Sequence, residues 1–397
     1  MLNFDSLKDD LSPQLSRLSY PMYTLGLTAA RTLGPVTPTA YFDDSQNPTF
    51  GIEIEAEGID EGKEWEGIKG IWSQKEDGSL RNHGREFVTM PLQFQHLPLA
   101  FDILRKYAPE AQFSHRCSTH VHVDVRHLTR SQIVTLIVLY ALTEPLLFAF
   151  AGRARQRSNF CVGLEYTNDL NAMLSTAIAG KYAHEDLHKY AALNIIPTYL
   201  SSGENPLYGT FEFRHMYGTL HHASLMDWCG IINRLRHAAV EIDLPWVINK
   251  TRFLNIDSSY LHLIEKVFQE YTGVFWNYVK INNLPRLLER HVSRVKQSIL
   301  HHDFSRKMLE SAPTPGSQYL KGLKRLYPNV FKRIASSKKG TMEQGEQFFP
   351  TVGMVTVAHE QIFNDMLQNQ ALQVHSQFIL SDSTFSEPEE FADGEDL

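Results

Sequence analysis

The sequence predicts an α+β fold with a largely antiparallel sheet and helices packed outside it. Short runs in which polar and apolar residues alternate indicate strands, and several of these runs follow one another without a helix between them. Longer stretches with helical spacing are also present, including an almost continuous apolar segment at residues 128–151. A doubly wound parallel sheet needs a crossover helix after nearly every strand, so this order favours antiparallel pairing.

The individual elements are marked by their periodicity. Helices are expected at residues 96–107, 128–151 and 223–243, and Thr129 or Ser131 is available to cap the second of them. The strand predictions matter most, because they decide which side chains share a face of the sheet. Strands are expected in the segments FGIEIEAEG, GIKGIWS, REFVTM, STHVHVDV and GTFEFRHMYGTL.

Changes in composition divide the chain into five predicted regions. Prolines break any long helical pattern near the N-terminus, whereas the last residues are acidic and lack Lys and Arg. The predicted regions are an N-terminal arm or cap (1–48), a main domain (49–245), a mainly helical basic extension (246–340), a C-terminal segment (341–375) and an acidic disordered tail (376–397).

The charge distribution excludes a globally basic surface for nucleic acid. The chain carries a net charge of −7, and seven acids between residues 382 and 397 account for it. Residues 286–339 instead contain thirteen Lys or Arg against three acids. Such a block is usually a solvated face, although it could also dock on a phosphate-rich or acidic partner. Nucleic acid is therefore not expected as a partner of the chain as a whole.

Cysteine usage and hydropathy indicate a cytoplasmic protein without a membrane partner. Cys117, Cys161 and Cys229 are too few and too scattered for a disulfide framework or for paired metal ligands. The first eleven residues are charged and do not resemble a secretory signal. Residues 133–151 have the apolar character of a membrane span, but Glu144 and other polar residues interrupt them, so a buried helix is expected.

Three glutamates alternate along the first predicted strand. Glu53, Glu55 and Glu57 therefore project from one face, while Ile52 and Ile54 project from the other. Glutamate is a poor strand former, and three carboxylates on one face repel each other unless a cation lies among them. The pattern predicts a divalent metal site, with an exposed polar face as the alternative.

Two histidines share a face of the strand that contains THVHVDV. The same alternation places His120, His122 and Asp124 together, which is compatible with a zinc site. No third histidine lies at a convincing spacing, and two histidines on a strand are often only polar surface. A zinc hydrolase built on this pair is a minor alternative.

Charged residues also share a face in two further strands. Glu212 and Arg214 alternate with Phe211 and Phe213, and a plain cross-strand ion pair would also explain them. Glu86 adds one more strand carboxylate. Because the chain has no Walker loop and no dinucleotide glycine motif, these oxygen-rich donors favour Mg²⁺ or Mn²⁺ bound to the phosphates of a nucleotide.

Seven motifs occur in order between Phe50 and about residue 240, roughly half of the chain. They are FGIEIEAEG, EDGSL, GREFVTMPL, THVHVDVRHLT, LTEPLLFAFAGRARQRSNFC, HKYAALN and TFEFRHMYGTL. This order resembles the amidoligase family of the carboxylate–amine ligase superfamily, whose catalytic fold is similar to glutamine synthetase and γ-glutamylcysteine ligase. The resemblance implies that the antiparallel sheet forms a catalytic cleft like that of glutamine synthetase.

The resemblance also implies which side chains bind metal and which are catalytic. His122 would face the phosphates of the nucleotide, and Arg214 would face the acyl substrate or the γ-phosphate. Together with Glu86, these two are the expected catalytic residues. The implied ligands of the divalent ions are Glu53, Glu55, Glu86, His120 and Glu212.

Further residues of the cleft are implied by the same motifs. Asn194 and one arginine among Arg153, Arg155 and Arg157 are expected to line the nucleotide site. The spacing of the motif allows more than one alignment, and Arg155 and Arg157 are the candidates retained. Asp77, in the DGS turn, is expected to bind the substrate amine.

The implied activity is ATP-dependent formation of an amide or peptide bond. ATP phosphorylates a carboxylate to an acyl phosphate, which an amine then attacks with release of phosphate. The expected cofactors are ATP and Mg²⁺ (or Mn²⁺), and the expected substrates are small molecules or peptides that carry the carboxylate and the amine. The alternative from another class is a non-catalytic binding or structural protein that uses residues 286–339 to dock on nucleic acid or an acidic partner.

Overall fold

A computed structural model describes the chain from residue 48 to residue 305, together with residue 309. The predicted arm before residue 48 and all of the chain after residue 309 lie outside the described residues, so the predicted regions stay predictions. Between residues 48 and 309, the residues that are not described are 61–70, 90, 153–154, 168, 181, 183–186, 200–207, 257, 274–283 and 306–308.

Seven strands form a single sheet in the described part of the chain. They are β1 (Thr49–Ala56), β2 (Trp72–Glu76), β3 (Arg85–Thr89), β4 (Leu92–Gln93), β5 (Ser118–Asp124), β6 (Leu193–Asn194) and β7 (Thr210–Tyr217). Their order is β2-β3-β1-β5-β7-β6, β4 pairs with the start of β1, and all of these pairs are antiparallel. The prediction of an α+β fold with a largely antiparallel sheet is confirmed.

Eight α-helices accompany this sheet in the described residues. They are α1 (Leu97–Tyr107), α2 (Arg130–Ala151), α3 (Asp169–Ala179), α4 (Ile196–Tyr199), α5 (His222–Glu241), α6 (Leu244–Phe253), α7 (Ser258–Phe268) and α8 (Leu284–Leu300). The three helices predicted from periodicity correspond to α1, α2 and α5, with ends that agree within two residues.

One face of the sheet is apolar and packs against helices. Phe50, Ile52 and Ile54 of β1 are fully buried, as are Val121 and Val123 of β5. Helix α2 contacts β7 and helix α5 contacts β5 on this side. Because side chains alternate along a strand, the residues between these positions project from the opposite face. The glutamates of β1 therefore lie on the face away from α2 and α5, which we call the polar face.

The long apolar helix α2 lies in the core. Its length and composition would allow it to cross a membrane, but 94% of its apolar 18-residue window is buried inside the fold. This burial agrees with the expectation of a buried helix.

Helix α8, at the start of the basic segment, packs against α2. Its buried apolar stripe consists of Leu288, Val292, Val295 and Ile299. His291 of α8 also contacts α2, because its Nε2 lies 3.4 Å from Oε2 of Glu144. Both side chains are buried. Helix α8 thus covers α2 with an apolar stripe and reaches a carboxylate inside the core.

The N-cap of α2 provides a test of the local structure. Gln132 N donates to Thr129 Oγ1 at 3.3 Å, and Thr129 N donates to Gln132 Oε1 at 2.8 Å, which is a capping box. We expect Thr129→Ala to lower the free energy of unfolding by about 1 kcal/mol, because the N-terminal donor loses its acceptor. Chemical denaturation measures the change. Ser131→Ala is the matched control at the other predicted cap position, and equal losses in the two variants would contradict the assignment.

Candidate functional site

The polar face of the sheet collects charged residues from distant parts of the chain. Residues directly opposite each other on antiparallel strands project from the same face. The strand register therefore brings together several of the residues that the motifs singled out. The direct pairs are Glu55 with Glu86, Glu53 with His120, and His122 with Glu212.

The first group of donors, which we call the histidine cluster, consists of Glu53, His122 and Glu212. One ligand atom from each lies within 4.8 Å of the others. His122 Nε2 is 3.3 Å from Glu53 Oε1, and His122 Nδ1 is 3.0 Å from the hydroxyl of Thr210. The contact with Thr210 orients the ring so that its other nitrogen points towards the carboxylates.

The second group, the carboxylate cluster, consists of Glu55, Asp77 and Glu86, and one oxygen from each lies within 4.8 Å of the others. Asp77 joins it from the turn between β2 and β3, where its Oδ1 accepts from Ser79 N at 2.8 Å. Glu55 Oε2 accepts from Ser118 N at 2.8 Å and from Ser118 Oγ at 2.5 Å. Hydrogen bonds from the backbone thus hold two of the three carboxylates in place.

His120 lies between the two clusters and contacts both. Its Nδ1 is 3.0 Å from Glu53 Oε2. Its Nε2 is 2.8 Å from Ser118 Oγ and 3.9 Å from Glu55 Oε1. The motifs implied a metal-ligand role for His120 and a phosphate contact for His122. The geometry favours His122 as the ion ligand, because one of its nitrogens belongs to a cluster of donors. His120 instead links the two clusters, since protein groups engage both of its nitrogens.

Arg214 lies on the polar face at a β-bulge. The register between β5 and β7 shifts between Thr119 and Val121, so two residues of β7 oppose one residue of β5. Arg214 and His215 are these two residues. Arg214 forms an ion pair with Glu212 on the polar face, whereas His215 is fully buried in the core.

Glu212 and Arg214 are held by further contacts. Asn194 Nδ2 donates to Glu212 Oε2 at 2.8 Å. Arg214 Nε donates to the carbonyl of Phe160 at 3.2 Å. The Arg214 guanidinium also lies over the ring of Tyr190, 5.8 Å from its centroid. Asn194, which the motifs assigned to the nucleotide, therefore orients a carboxylate of the histidine cluster.

The structure describes the side chain of one of the three arginines considered for the nucleotide site. Arg155 is buried, and its Nη2 donates to the backbone carbonyl of Arg214 at 3.1 Å. Arg153 and the side chain of Arg157 lie outside the described residues. Arg155 thus supports the strand that carries Arg214.

Two acids that share the predicted faces take no part in either cluster. Glu57 lies beyond the end of β1, where its Oε1 accepts from Arg81 N at 3.0 Å. Asp124 lies at the end of β5, and its two oxygens accept from the Arg126 side chain, each at 2.8 Å. Glu57 thus lies just outside β1, although its predicted strand included it, and Asp124 lies at the end of β5. Local partners engage both acids.

Some residues of the polar face were missed by the sequence-based prediction. Lys75 Nζ lies 2.9 Å from Glu86 Oε1, and Ser118 holds Glu55. Ser118 precedes His120 by two positions, so alternation along β5 could have predicted that Ser118 lies on the polar face. Lys75 lies on β2, where the polar sequence WSQKE has too weak a pattern to indicate its direction.

The two clusters together contain five carboxylates. Burial and then the charge of Glu53 raise the pKa of Glu86 to about 8, although Lys75 opposes the shift. Burial alone would also raise the pKa of Glu212, but the Arg214 guanidinium holds it below its usual value. A cation bound among these groups would relieve the repulsion that raises the pKa of Glu86.

Comparison with known proteins identifies neither a family nor an activity for this chain. No family model and no curated protein match the chain. Among solved structures, the chain is similar to a crystal structure described as a novel glutamine synthase homolog, with 13% sequence identity and a TM-score of 0.31. The similarity covers 64% of this chain and 72% of that one. A similarity of this size supports no statement about activity.

The bulge leaves His215 in the apolar core, where protonation of its ring opposes folding. The ring lies near those of Phe148 and Trp228, at centroid distances of 4.7 and 5.6 Å. Burial, followed by the charge of Arg155, lowers the pKa of His215 to about 3. Between that value and the unfolded pKa of about 6.5, the unfolded chain binds a proton that the folded chain does not. Stability is therefore lost as the pH falls below about 6.5.

We expect His215→Phe to flatten the decline in the free energy of unfolding between roughly pH 6.5 and pH 4, because a phenyl ring binds no proton. Chemical denaturation at a series of pH values measures the slope. Other groups contribute equally to both proteins, so the difference in slope reports on His215. Identical slopes would show that this histidine does not gain a proton on unfolding.

Proposed function

We propose that this protein is an ATP-dependent carboxylate–amine ligase that requires Mg²⁺ or Mn²⁺. One observation carries the proposal: two groups of three donors lie side by side on the polar face, with an arginine beside one of them. Two adjacent cation sites and a guanidinium suit the transfer of a phosphoryl group to a carboxylate. The resemblance of the motifs to amidoligases supports the same chemistry.

The donor atoms fit hard divalent ions. The carboxylate cluster offers three oxygens, and the histidine cluster offers two oxygens and one imidazole nitrogen. Mg²⁺ and Mn²⁺ prefer oxygen ligands and keep positions for water and substrate phosphates, so three protein ligands at each site are sufficient. Bound ions would neutralise the phosphoryl oxygens during transfer. Ser118 and Asn194 fix Glu55 and Glu212 before an ion binds.

The proposed reaction consists of two displacements. A carboxylate oxygen of the acyl substrate attacks the γ-phosphorus of ATP, and ADP leaves. The amine nitrogen then attacks the acyl carbon, inorganic phosphate leaves with the electron pair, and the amine proton is released to water. Arg214, which is held on the polar face beside Glu212, would bind the carboxylate or the transferring phosphoryl group through its planar fork.

The geometry changes the roles proposed for several residues. We assign His122 to an ion site and His120 to the position that links the two clusters. Asp77 belongs to an ion site in this proposal and no longer to the amine. Asn194 and Arg155 are positioning residues, because they contact protein groups of the site.

The alternatives find no specific support among the described residues. In the basic segment, Arg290 pairs with Glu165 at 3.0 Å, and Arg294 Nη1 donates to the carbonyl of Leu164 at 3.3 Å. These two cations are thus engaged within the fold. For a zinc hydrolase, the histidine cluster contains one histidine and the carboxylate cluster contains none. Such a donor set favours Mg²⁺ or Mn²⁺ over zinc.

Glu55→Gln tests the metal assignment. We expect Mn²⁺ affinity and ADP release, assayed with mixtures of amino acids and polyamines, each to fall roughly a hundredfold or more, because an ion ligand loses its charge. The melting temperature without metal should not fall, since the change removes a charge opposite Glu86. Glu76→Gln is the matched control, because this side chain is 84% exposed. Wild-type Mn²⁺ binding in Glu55→Gln would overturn the assignment.

Arg214→Lys tests the role of the planar guanidinium. Lysine keeps the charge but loses the bidentate geometry, so we expect ADP release to fall roughly a hundredfold, with Mn²⁺ affinity and melting temperature little changed. Arg105→Lys is the control, since Arg105 forms an exposed ion pair with Asp102, and such pairs contribute about 0–1 kcal/mol. Full activity in Arg214→Lys would show that Arg214 only forms an ion pair with Glu212. Loss of ADP release, Mn²⁺ affinity and melting temperature together would show that Arg214 stabilises the fold.

A further inference from the structure

Lys75 lies on the polar face but has no role in the motifs or in the reaction described above. It lies on the edge strand β2 directly opposite Glu86, and Glu86 lies directly opposite Glu55. These three side chains therefore form one row across the strands. The Lys75 ammonium contacts Glu86 at 2.9 Å, which places a positive charge at the carboxylate cluster.

The same ammonium also interacts with the histidine cluster. It has favourable electrostatic interactions with Glu86 of the carboxylate cluster and with Glu53 of the histidine cluster. One positive charge therefore interacts with a member of each proposed ion site. An anion that bridges the two sites would bind within reach of this side chain.

An ordinary surface role does not account for this position. Lysines are common on edge strands, because they prevent pairing with other chains, and the Lys75 side chain is 51% exposed. A lysine with that role needs no buried partner, yet the Glu86 side chain that it contacts is only 8% exposed. By contrast, Glu76, the next residue of β2, is 84% exposed and pairs with Arg85. Glu76 thus has the exposed ion pair of an ordinary edge-strand residue, whereas Lys75 contacts a buried carboxylate.

We propose that Lys75 is a further catalytic residue, which binds an anionic oxygen of the phosphate or carboxylate group held between the two ion sites. The inference rests on the proposed function, because it requires ions at both clusters. Glu53 and Glu86 would hold ions at the two sites, and the ammonium would then be free of its pair with Glu86. The half-exposed lysine could turn its charged end towards the anion and act as a donor for the transferring group.

Lys75→Met gives opposite effects on cations and anions under this proposal. Mn²⁺ should bind roughly three- to tenfold more tightly, because a positive charge beside the ion sites is removed. Inorganic phosphate added to the Mn²⁺-saturated protein should bind roughly tenfold more weakly, and ADP release should slow by at least about the same factor. Calorimetry on the 397-residue chain measures both affinities. Lys106→Met, at an exposed position of α1, is the matched control and should change none of these properties.

Each remaining outcome is decisive. If Lys75→Met binds Mn²⁺ and phosphate with wild-type affinity, Lys75 is an ordinary surface residue of an edge strand and the proposal is wrong. If the variant loses both affinities and also melts at a lower temperature, Lys75 stabilises the fold and the proposal is wrong as well. A third outcome separates this proposal from the proposed function. If Lys75→Met shifts the two affinities in opposite directions but the wild-type protein releases no ADP with any acceptor, the anion contact is supported and the ligase activity is not.

Discussion

The repulsion between Glu55 and Glu86 is the constraint on which the polar face depends. The register of β1 and β3 places these carboxylates directly opposite each other, and like charges in that position destabilise a sheet. Asp77 adds a third carboxylate from the adjoining turn. The hydrogen bonds from Ser118 and the ammonium of Lys75 compensate only part of this charge. The neighbouring groups are therefore arranged as they would be around a cation.

The fold and much of the site can be predicted from sequence because side chains alternate along a strand. Glu53 and Glu55 share a face of one strand for this reason, as do Glu212 and Arg214 of another. The pairing of β1 and β7 with β5 then brings the two strands' charged residues together. The argument needs only the identity of the strands. It cannot decide which of His120 and His122 offers a nitrogen to a cluster, because that depends on the hydrogen bonds of each ring.

The rest of the site depends on long-range pairing, on turns and on irregular backbone. The DGS motif indicates that Asp77 lies in a turn, but only the pairing of β2 with β3 directs that turn to Glu55. Lys75 reaches Glu86 through the same pairing. The bulge that contains Arg214 breaks the alternation within β7. None of these features changes the spacing of polar and apolar residues within a single segment. The local sequence pattern therefore cannot predict them.

Helix α8 links the end of the described chain to the centre of the molecule. Its apolar stripe packs against α2, and His291 Nε2 lies 3.4 Å from the buried Glu144 of that helix. Removing α8 would expose this stripe and the surface of α2 that it covers, and apolar burial stabilises a fold by about 25 cal/mol per Å². The cooperative folding unit is therefore expected to extend to the end of α8, well past the compositional boundary at residue 245. A chain truncated at that boundary would keep every donor of both clusters and still lose one side of its core.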